Sequence, residues 1–213
     1  MNRHTIVKVC GITRVEDAAW ALDCGADWIG FILAGKSPRR IAPEDAAEIV
    51  ASARVGTGVA VLVDVTPAQA LDIARRAQAT RVQLHRVSPQ SWPRDFPLPC
   101  TFAMGVTPEG EIRGEEPGEG HLLLLDTSLR DMAGGTGHVW PWSVARTIVA
   151  RRDVMLAGGL SGDNVAEAIR ELQPYGVDAS SQLESAPGIK DPERVRNYIL
   201  GARHADANAR TPS

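Results

Sequence analysis

Residues 154–180 read VMLAGGLSGDNVAEAIRELQPYGVDAS and contain one complete strand–helix–strand pattern. The short apolar run Val154–Gly158 predicts a buried strand, and the apolar positions of Asp163–Leu172 recur at helical spacing. A second short run, Gly176–Ser180, predicts the next strand. Because a strand, a crossover helix and another strand form the unit of a parallel sheet, this stretch indicates an α/β protein.

The same alternation extends along the whole chain. The predicted strands are Ile6–Cys10, Trp28–Leu33, Gly58–Val63, Arg81–His85, Cys100–Val106, His121–Asp126, Val154–Gly158 and Gly176–Ser180. Helical patterns lie between most of them, over Val15–Cys24, after Pro43 and Thr66-Pro67, and over Ser143–Ala150, Asp163–Leu172 and Asp191–Leu200. Eight strands, most with a following helix, predict a single-domain (β/α)8 TIM barrel.

Two connections fit this pattern less well. Ser88–Pro97 contains three prolines, so it has room only for a short helix, and Pro108–Gly120 lacks an apolar face and is expected to be a loop or a degraded helix. The rival architecture, a doubly wound sheet, would carry a glycine-rich fingerprint after its first strand. Gly11-Ile-Thr13 stands there instead, which favours the barrel.

Length and composition indicate one ordinary globular domain. The chain has 213 residues, of which 44% are hydrophobic and 23% charged. We assign residues 1–204 to the barrel and expect the small, polar tail of residues 205–213 to be disordered. A net charge of -3 gives no electrostatic reason to expect a nucleic acid or an anionic membrane as partner.

Several further features favour a cytoplasmic protein. The apolar stretches are too short to span a membrane, and the basic start of the chain lacks an apolar signal region. Cys10, Cys24 and Cys100 cannot all pair and have no zinc-type spacing, so we expect free thiols and no metal. We also expect a monomer, because no long exposed apolar helix face is evident.

Residues at the carboxyl ends of barrel strands form the active site of such folds. Cys10 ends the first strand, and a cysteine there is more often a small buried hydrophobe. Lys8 lies on the same face two residues earlier, and its ammonium is expected to lower the pKa of the thiol and to favour a thiolate base. Asp126 follows four leucines and precedes a loop, so it is a candidate for a partly desolvated acid that donates a proton.

The loops after the last two strands predict a phosphate site. Gly158 and Gly159 would let the backbone approach an anion closely, and Ser180 and Ser181 would add hydroxyl donors. The alternative is a pair of tight turns chosen for geometry alone. A third glycine loop, residues 134–137, is a candidate mobile cover or further anion site. Arg39, at the mouth of the barrel, would grip a planar carboxylate in bidentate fashion unless it is only a solvated surface charge.

The motifs together resemble the phosphoribosylanthranilate isomerase family over about residues 8–198. They are Lys8–Thr13 (KVCGIT), Gly30-Phe-Ile, Lys36–Arg39 (KSPR), Gln83-Leu-His85, Leu125-Asp126, Gly134–Gly137 (GGTG), Leu156–Leu160 (LAGGL), Asn164-Val165, Gly176–Ser181 (GVDASS) and Pro187–Asp191 (PGIKD). The resemblance implies an Amadori rearrangement of a small phosphorylated sugar amine, N-(5-phosphoribosyl)anthranilate, without metal or cofactor.

The resemblance also implies a role for each matching residue. Asp126 would protonate the furanose ring oxygen, and the Cys10 thiolate would remove the proton at C2. Arg39 would hold the anthranilate carboxylate, and Asp178 a ribose hydroxyl. Further substrate contacts would come from Lys8, Gln83 and His85, and phosphate contacts from Gly135, Gly158, Gly159, Ser180 and Ser181.

The chain departs from the family pattern at a few positions. Arg86 and Gln182 each stand where the family usually has glycine, and Ala34-Gly35 replaces an aromatic residue and proline. A glycine-only backbone angle at Gln182 would be strained, and Arg86 would point to solvent or meet an extra anionic group of a modified substrate. Two alternatives therefore stay open: a divergent isomerase of a related aminoaldose phosphate in another pathway, and a non-catalytic phosphosugar-binding barrel.

Overall fold

The computed structural model describes residues 4–107, 109–127 and 141–209. The strands in chain order are β1 Ile6–Val9, β2 Trp28–Ile32, β3 Gly58–Val63, β4 Arg81–His85, β5 Cys100–Val106, β6 Ile112–Arg113, β7 Leu122–Asp126, β8 Val154–Leu156, β9 Gly176–Ala179, β10 Glu184–Ala186 and β11 Ile189–Lys190. Strands β1–β5 and β7–β9 pair in parallel, and the β1–β9 and β4–β5 pairings close the barrel. All eight predicted strands and the predicted barrel are confirmed.

The helices pack outside this barrel. They are α1 Val15–Asp23, α2 Pro43–Ser52, α3 Pro67–Arg76, α4 Arg146–Val149, α5 Val165–Leu172 and α6 Pro192–Ala209, with 3-10 turns at Pro89–Ser91, Trp142–Ala145 and Ser181–Leu183. The predicted start at Thr66 is confirmed, because its hydroxyl accepts a bond from the Gln69 amide and the Gln69 side chain accepts one from the Thr66 amide.

The segment predicted as a loop or degraded helix, Pro108–Gly120, is loop over most of its described residues but also contains the two-residue strand β6. The two residues of β6 pair antiparallel with the end of β5, with Val106 opposite Ile112. The left-handed Gly110, whose φ is +88°, helps reverse the chain. A two-residue strand has too short a pattern to be read from sequence. The 3-10 turn Pro89–Ser91, by contrast, confirms the short helix expected among the prolines.

The prediction of a disordered tail from residue 205 is wrong for residues 205–209. Helix α6 continues to Ala209, and Ala205 is buried. Asp206 accepts bonds from the backbone amide and hydroxyl of Thr5, at 3.0 and 2.7 Å. The polar composition of the tail gave no sign of these partners near the start of the chain. Residues 210–213 lie outside the described residues.

Strand alternation decides which side chains enter the barrel. In β7, Leu122 and Leu124 belong to the interior cluster, whereas Leu123 and Leu125 pack towards the helices. The next inward position is Asp126, at the carboxyl end of the strand. Because side chains alternate between the two faces of a strand, alternate residues of the other barrel strands also point towards the interior. Within the described ranges, no helix is both long and apolar enough to cross a bilayer.

Candidate active site

A buried ion pair lies beneath the mouth of the barrel. Lys8 and Asp178 are direct partners across β1 and β9, and the Lys8 ammonium donates to Asp178 Oδ2 at 2.7 Å. Burial opposes the charge on Lys8, but Asp178 and Cys10 outweigh it and raise the pKa of Lys8 above its ordinary value. Lys8 is fully buried. In this arrangement Lys8 acts on Cys10 and Asp178, and its direct contact with substrate stays a prediction.

Cys10 follows β1 and is buried against this pair. Burial raises the pKa of the Cys10 thiol by more than the Lys8 ammonium lowers it, so the net direction is upward. The predicted lowering by Lys8 is present but does not set the net direction, because the sequence shows the charged neighbour but not how completely water is removed. The cations Lys8 and Lys190 are the groups that favour a thiolate at Cys10.

Gly30 on β2 makes the space that Cys10 and Lys8 occupy. A Cβ atom at position 30 would lie 2.8 Å from Cys10 Sγ and 3.0 Å from Lys8 Cε. Both distances are shorter than ordinary van der Waals contact. The glycine thus allows the thiol and the ammonium to share one inward-facing layer of the barrel.

Asp126 ends β7 at the same mouth and is partly buried. Its charge acts on both His85 and Asp178. Burial lowers the pKa of His85, as do Lys8 and Arg86, and Asp126 opposes this only in part. The imidazole is therefore neutral near pH 7. Gln83 Nε2 lies 2.9 Å from His85 Nε2 and holds the ring from below.

Arg39 is buried and already paired. Its Nε and Nη2 donate to the two carboxylate oxygens of Glu184, each at 2.7 Å. The prediction that this bidentate fork is free to grip a substrate carboxylate is wrong. Glu184, which the sequence did not single out, holds the fork, and Nη1 is the guanidinium nitrogen that Glu184 leaves unused.

The paired glycines after β8 adopt the backbone expected of an anion-binding turn. Gly158 and Gly159 have φ values of +84° and +71°, and a Cβ at Gly158 would overlap Thr127. Asn164 fixes the turn: its Oδ1 accepts from the Ser161 amide and its Nδ2 donates to the Gly159 carbonyl, both at 2.9 Å. Both the phosphate hypothesis and the purely geometric alternative are compatible with this turn.

The predicted serines lie at the neighbouring strand end. Ser180 follows β9, which pairs with β8, and Ser181 begins the next 3-10 turn. A Cβ at Gly11 would lie 2.8 Å from both Ser180 Oγ and Arg39 Cδ, so the serine hydroxyl and the arginine stem flank one point of the backbone. Gly135, the remaining predicted phosphate contact, lies outside the described residues.

The departures from the family pattern have different structural consequences. Arg86 has a φ of +55°, where a non-glycine residue is strained, and its guanidinium donates to Asp64 at 2.5 Å with both side chains more than half exposed. Gln182 lies inside the 3-10 turn Ser181–Leu183 and does not have a positive φ. The strain expected at Gln182 is thus not found.

The residues that the structure describes include no group of three or more His, Cys, Asp or Glu side chains arranged to hold a metal ion.

Comparison with known proteins gives the family. A family model described as N-(5'-phosphoribosyl)anthranilate (PRA) isomerase matches residues 7–200. The curated N-(5'-phosphoribosyl)anthranilate isomerase of Geotalea uraniireducens (strain Rf4) is 41% identical over 206 residues, which cover 93% of this chain and 98% of that protein. The chain belongs to this family.

Solved phosphoribosylanthranilate isomerases share the fold. The structure of the Thermotoga maritima isomerase covers 94% of this chain and 99% of its own, with a TM-score of 0.79 and 32% identity. Another isomerase of the family, solved in complex with reduced 1-(o-carboxyphenylamino)-1-deoxyribulose 5-phosphate, gives a TM-score of 0.76 and 31% identity, covering 94% of this chain and 99% of its own. These matches confirm the predicted resemblance.

Four residues of this isomerase-family barrel were missed as contributors to the site. Gly30, Asn164 and Lys190 stand inside family motifs, but only their contacts show what they support. Glu184 follows Leu183 on a short exposed-looking stretch, where a lone acidic residue usually faces water. For Gly30, Asn164 and Lys190, their position within the matched motifs could have indicated a role in the site. No such motif contains Glu184.

Proposed function

We propose that this chain converts N-(5-phosphoribosyl)anthranilate to 1-(2-carboxyphenylamino)-1-deoxyribulose 5-phosphate. The observation that carries the proposal is that a thiol beside a buried ammonium and a carboxyl group lie at the same barrel mouth, three strands apart around the barrel. Cys10 and Lys8 belong to the first strand end, and Asp126 ends β7. The relatives that share this fold are named for the same reaction.

The first step assigned to the site is ring opening. Asp126 acts as general acid and gives its proton to the furanose ring oxygen as the bond from that oxygen to C1 breaks. The lone pair of the anthranilate nitrogen then forms a double bond to C1, which gives an iminium. Asp126 becomes a carboxylate, and the former ring oxygen becomes a hydroxyl group.

The second step is proton removal at C2. The Cys10 thiolate accepts this proton, and the electrons of the C–H bond form the C1–C2 double bond of an enolamine while neutralising the iminium. The enolamine tautomerises to the ketone. One proton is donated and one is removed, so the isomerisation balances without an oxidant or reductant. Lys8 favours the thiolate because its fixed ammonium lies beside Cys10.

Binding roles follow from groups left available around this pair. Asp178 Oδ1 is buried and has no hydrogen-bond partner among the residues described, so it is suited to accept a ribose hydroxyl. Arg39 would donate a hydrogen bond from Nη1 to the anthranilate carboxylate and attract it electrostatically. His85, positioned by Gln83, faces Asp126 as a neutral donor or acceptor.

The phosphate is assigned to the two loops after β8 and β9. Backbone amides of Gly158 and Gly159 would supply donors, and the hydroxyls of Ser180 and Ser181 would supplement them. The left-handed glycines and their clamp by Asn164 support this assignment. Gly135 keeps its predicted phosphate role as part of the same proposal.

We further propose that the enzyme is a monomer of the cytoplasm. All three cysteines, Cys10, Cys24 and Cys100, are free thiols, which suits a reducing compartment. Light scattering on the purified chain should give the mass of one copy. A mass of two copies at micromolar concentration would overturn the monomer assignment.

The function is tested by supplying purified protein with N-(5-phosphoribosyl)anthranilate and following the loss of its fluorescence. We expect turnover, and a loss of at least roughly 10²-fold in kcat for Cys10→Ala and for Asp126→Ala. Cys24→Ser is the matched control, because Cys24 caps helix α1 away from the strand ends. Absence of turnover by the folded wild-type protein would overturn the proposal.

A further inference from the structure

A second set of buried charges lies behind Cys10. Arg39 donates twice to Glu184 at 2.7 Å, and Lys190 Nζ donates to Glu184 Oε1 at 2.9 Å. The side chains of Glu184 and Lys190 are only 4% and 2% exposed. Two cations thus converge on one carboxylate inside the protein, where taking three charges out of water carries a large desolvation cost.

The hairpin of β10 and β11 positions this set. Glu184 and Lys190 are antiparallel partners, and the Lys190 amide donates to Asp17 Oδ2 at 3.1 Å. The Lys190 ammonium also donates to the Ser180 carbonyl at 3.1 Å. The hairpin therefore ties Lys190 to the end of β9, next to the strand that carries Cys10.

The Lys8–Asp178 pair and the set formed by Arg39, Glu184 and Lys190 do not sum to zero charge while Cys10 is a neutral thiol. Lys8, Arg39 and Lys190 contribute three positive charges, and Asp178 and Glu184 contribute two negative charges. These five side chains thus carry one excess positive charge, since the nearby Asp17 is paired with Arg14, and a thiolate at Cys10 would bring the sum to zero. Because unbalanced buried charge is unfavourable, the excess favours the thiolate.

On the basis of the function proposed above, we propose that Glu184 and Lys190 are positioning residues for the isomerisation. Glu184 fixes the Arg39 guanidinium so that Nη1 is presented to the substrate carboxylate. Lys190 supplies the additional buried positive charge that the Cys10 thiolate balances.

The groups that face Cys10 agree with this assignment. Burial raises the pKa of the Cys10 thiol, and Lys8 and Lys190 lower it, whereas Asp178 raises it. Tyr198 of helix α6 also interacts with Cys10 and is itself held neutral by burial, which raises its pKa. Burial lowers the pKa of Lys190 and Glu184 opposes this, so Glu184 supports the charge of this second cation, which acts on the thiol from a different element than Lys8.

The test measures the pKa of Cys10 by thiolate absorbance in a Cys24→Ser/Cys100→Ser background. Lys190→Met should raise this pKa, because it removes a cation that lowers it, and Glu184→Gln should lower it, because it removes a negative charge beside that cation. The double variant removes one charge of each sign and should return the pKa close to the reference. Lys190→Arg should preserve it. If Glu184 and Lys190 had a purely structural role, the two single variants would not shift the Cys10 pKa in opposite directions.

Asp27→Asn is the matched control, because Asp27 is a partly buried acid before β2 at the opposite end of the barrel, paired with Arg203. It should leave the Cys10 pKa unchanged. Steady-state kinetics provide the second readout. Glu184→Gln should raise KM about tenfold, because the Arg39 guanidinium loses the charged hydrogen bonds that fix it, while kcat at high pH changes little.

Shifts of the same sign for Lys190→Met and Glu184→Gln, or an equal shift for Asp27→Asn, would overturn the inference. So would an unchanged KM for Glu184→Gln. The thiol measurement needs no substrate. A wild-type protein that fails to turn over would therefore overturn the proposed function, whereas missing opposite shifts would overturn only the roles of Glu184 and Lys190.

Discussion

Replacing Gly30 by alanine tests whether the placement of Cys10 sets the rate. The added Cβ would lie 2.8 Å from Cys10 Sγ, 3.0 Å from Lys8 Cε and 3.1 Å from Lys8 Nζ. Optimal separation of non-bonded carbon atoms is about 3.5–4.0 Å, so the thiol has to move by roughly 1 Å. The strand cannot easily yield instead, because Gly30 pairs with Val59 and its carbonyl accepts from the Ile12 amide.

A displacement of about 1 Å costs on the order of 10²-fold in rate, and overpacking destabilises a core by about 1–3 kcal/mol. We therefore expect Gly30→Ala to lower kcat by roughly 10²-fold while KM changes only a few-fold, because the phosphate loops are untouched. Fluorescence assays supply both constants, and thermal unfolding shows whether the variant is folded.

Gly58→Ala is the control, since the same methyl group at the start of β3 would meet Phe31 and Val50 at an ordinary 3.5 Å. It should keep the wild-type kcat. A folded Gly30→Ala protein with wild-type kcat would refute the reasoning, as would an equal loss in Gly58→Ala.

Three further predictions follow from the same contacts. The rate of Cys10 alkylation by iodoacetamide should rise with pH, with a midpoint above the ordinary thiol value of 9.0, because burial raises this pKa. Lys8→Met should move the midpoint higher still. A lower midpoint in this variant would contradict the reasoning. Asn164→Ala removes the two side-chain hydrogen bonds that hold the Gly159 turn, which costs about 1–3 kcal/mol of turn stabilisation. In steady-state kinetics, KM should rise about tenfold with little change in kcat. Thr66→Ala loses an N-cap worth about 0.5–2 kcal/mol and should lower Tm by a few degrees in calorimetry without affecting activity.

The fold was predictable because strand and helix periods are local properties of the sequence. All eight strands and the first-turn prolines of α2 and α3 were found from such patterns. The exceptions depend on distant partners. The hairpin strand β6 is stabilised by β5, and the last turns of α6 are stabilised by Thr5 near the other end of the chain.

The candidate site shows the same division. Strand periodicity placed Lys8 and Cys10 on one face, and the structure adds that they are buried together. Burial raises the pKa of the Cys10 thiol by more than Lys8 lowers it, and no sequence pattern reports how much water remains. The pairing of Arg39 with Glu184, 145 residues later in the chain, likewise depends on tertiary structure alone.

The assignment of Cys10 as base and Asp126 as acid is tested most directly with substrate deuterated at C2. Proton removal at C2 should limit the rate in Cys10→Ser, so its kcat should show a larger isotope effect than the wild type. Ring opening should limit the rate in Asp126→Asn, so its isotope effect should fall towards unity. The reverse pattern, or an equal isotope effect in both variants, would contradict the assigned roles.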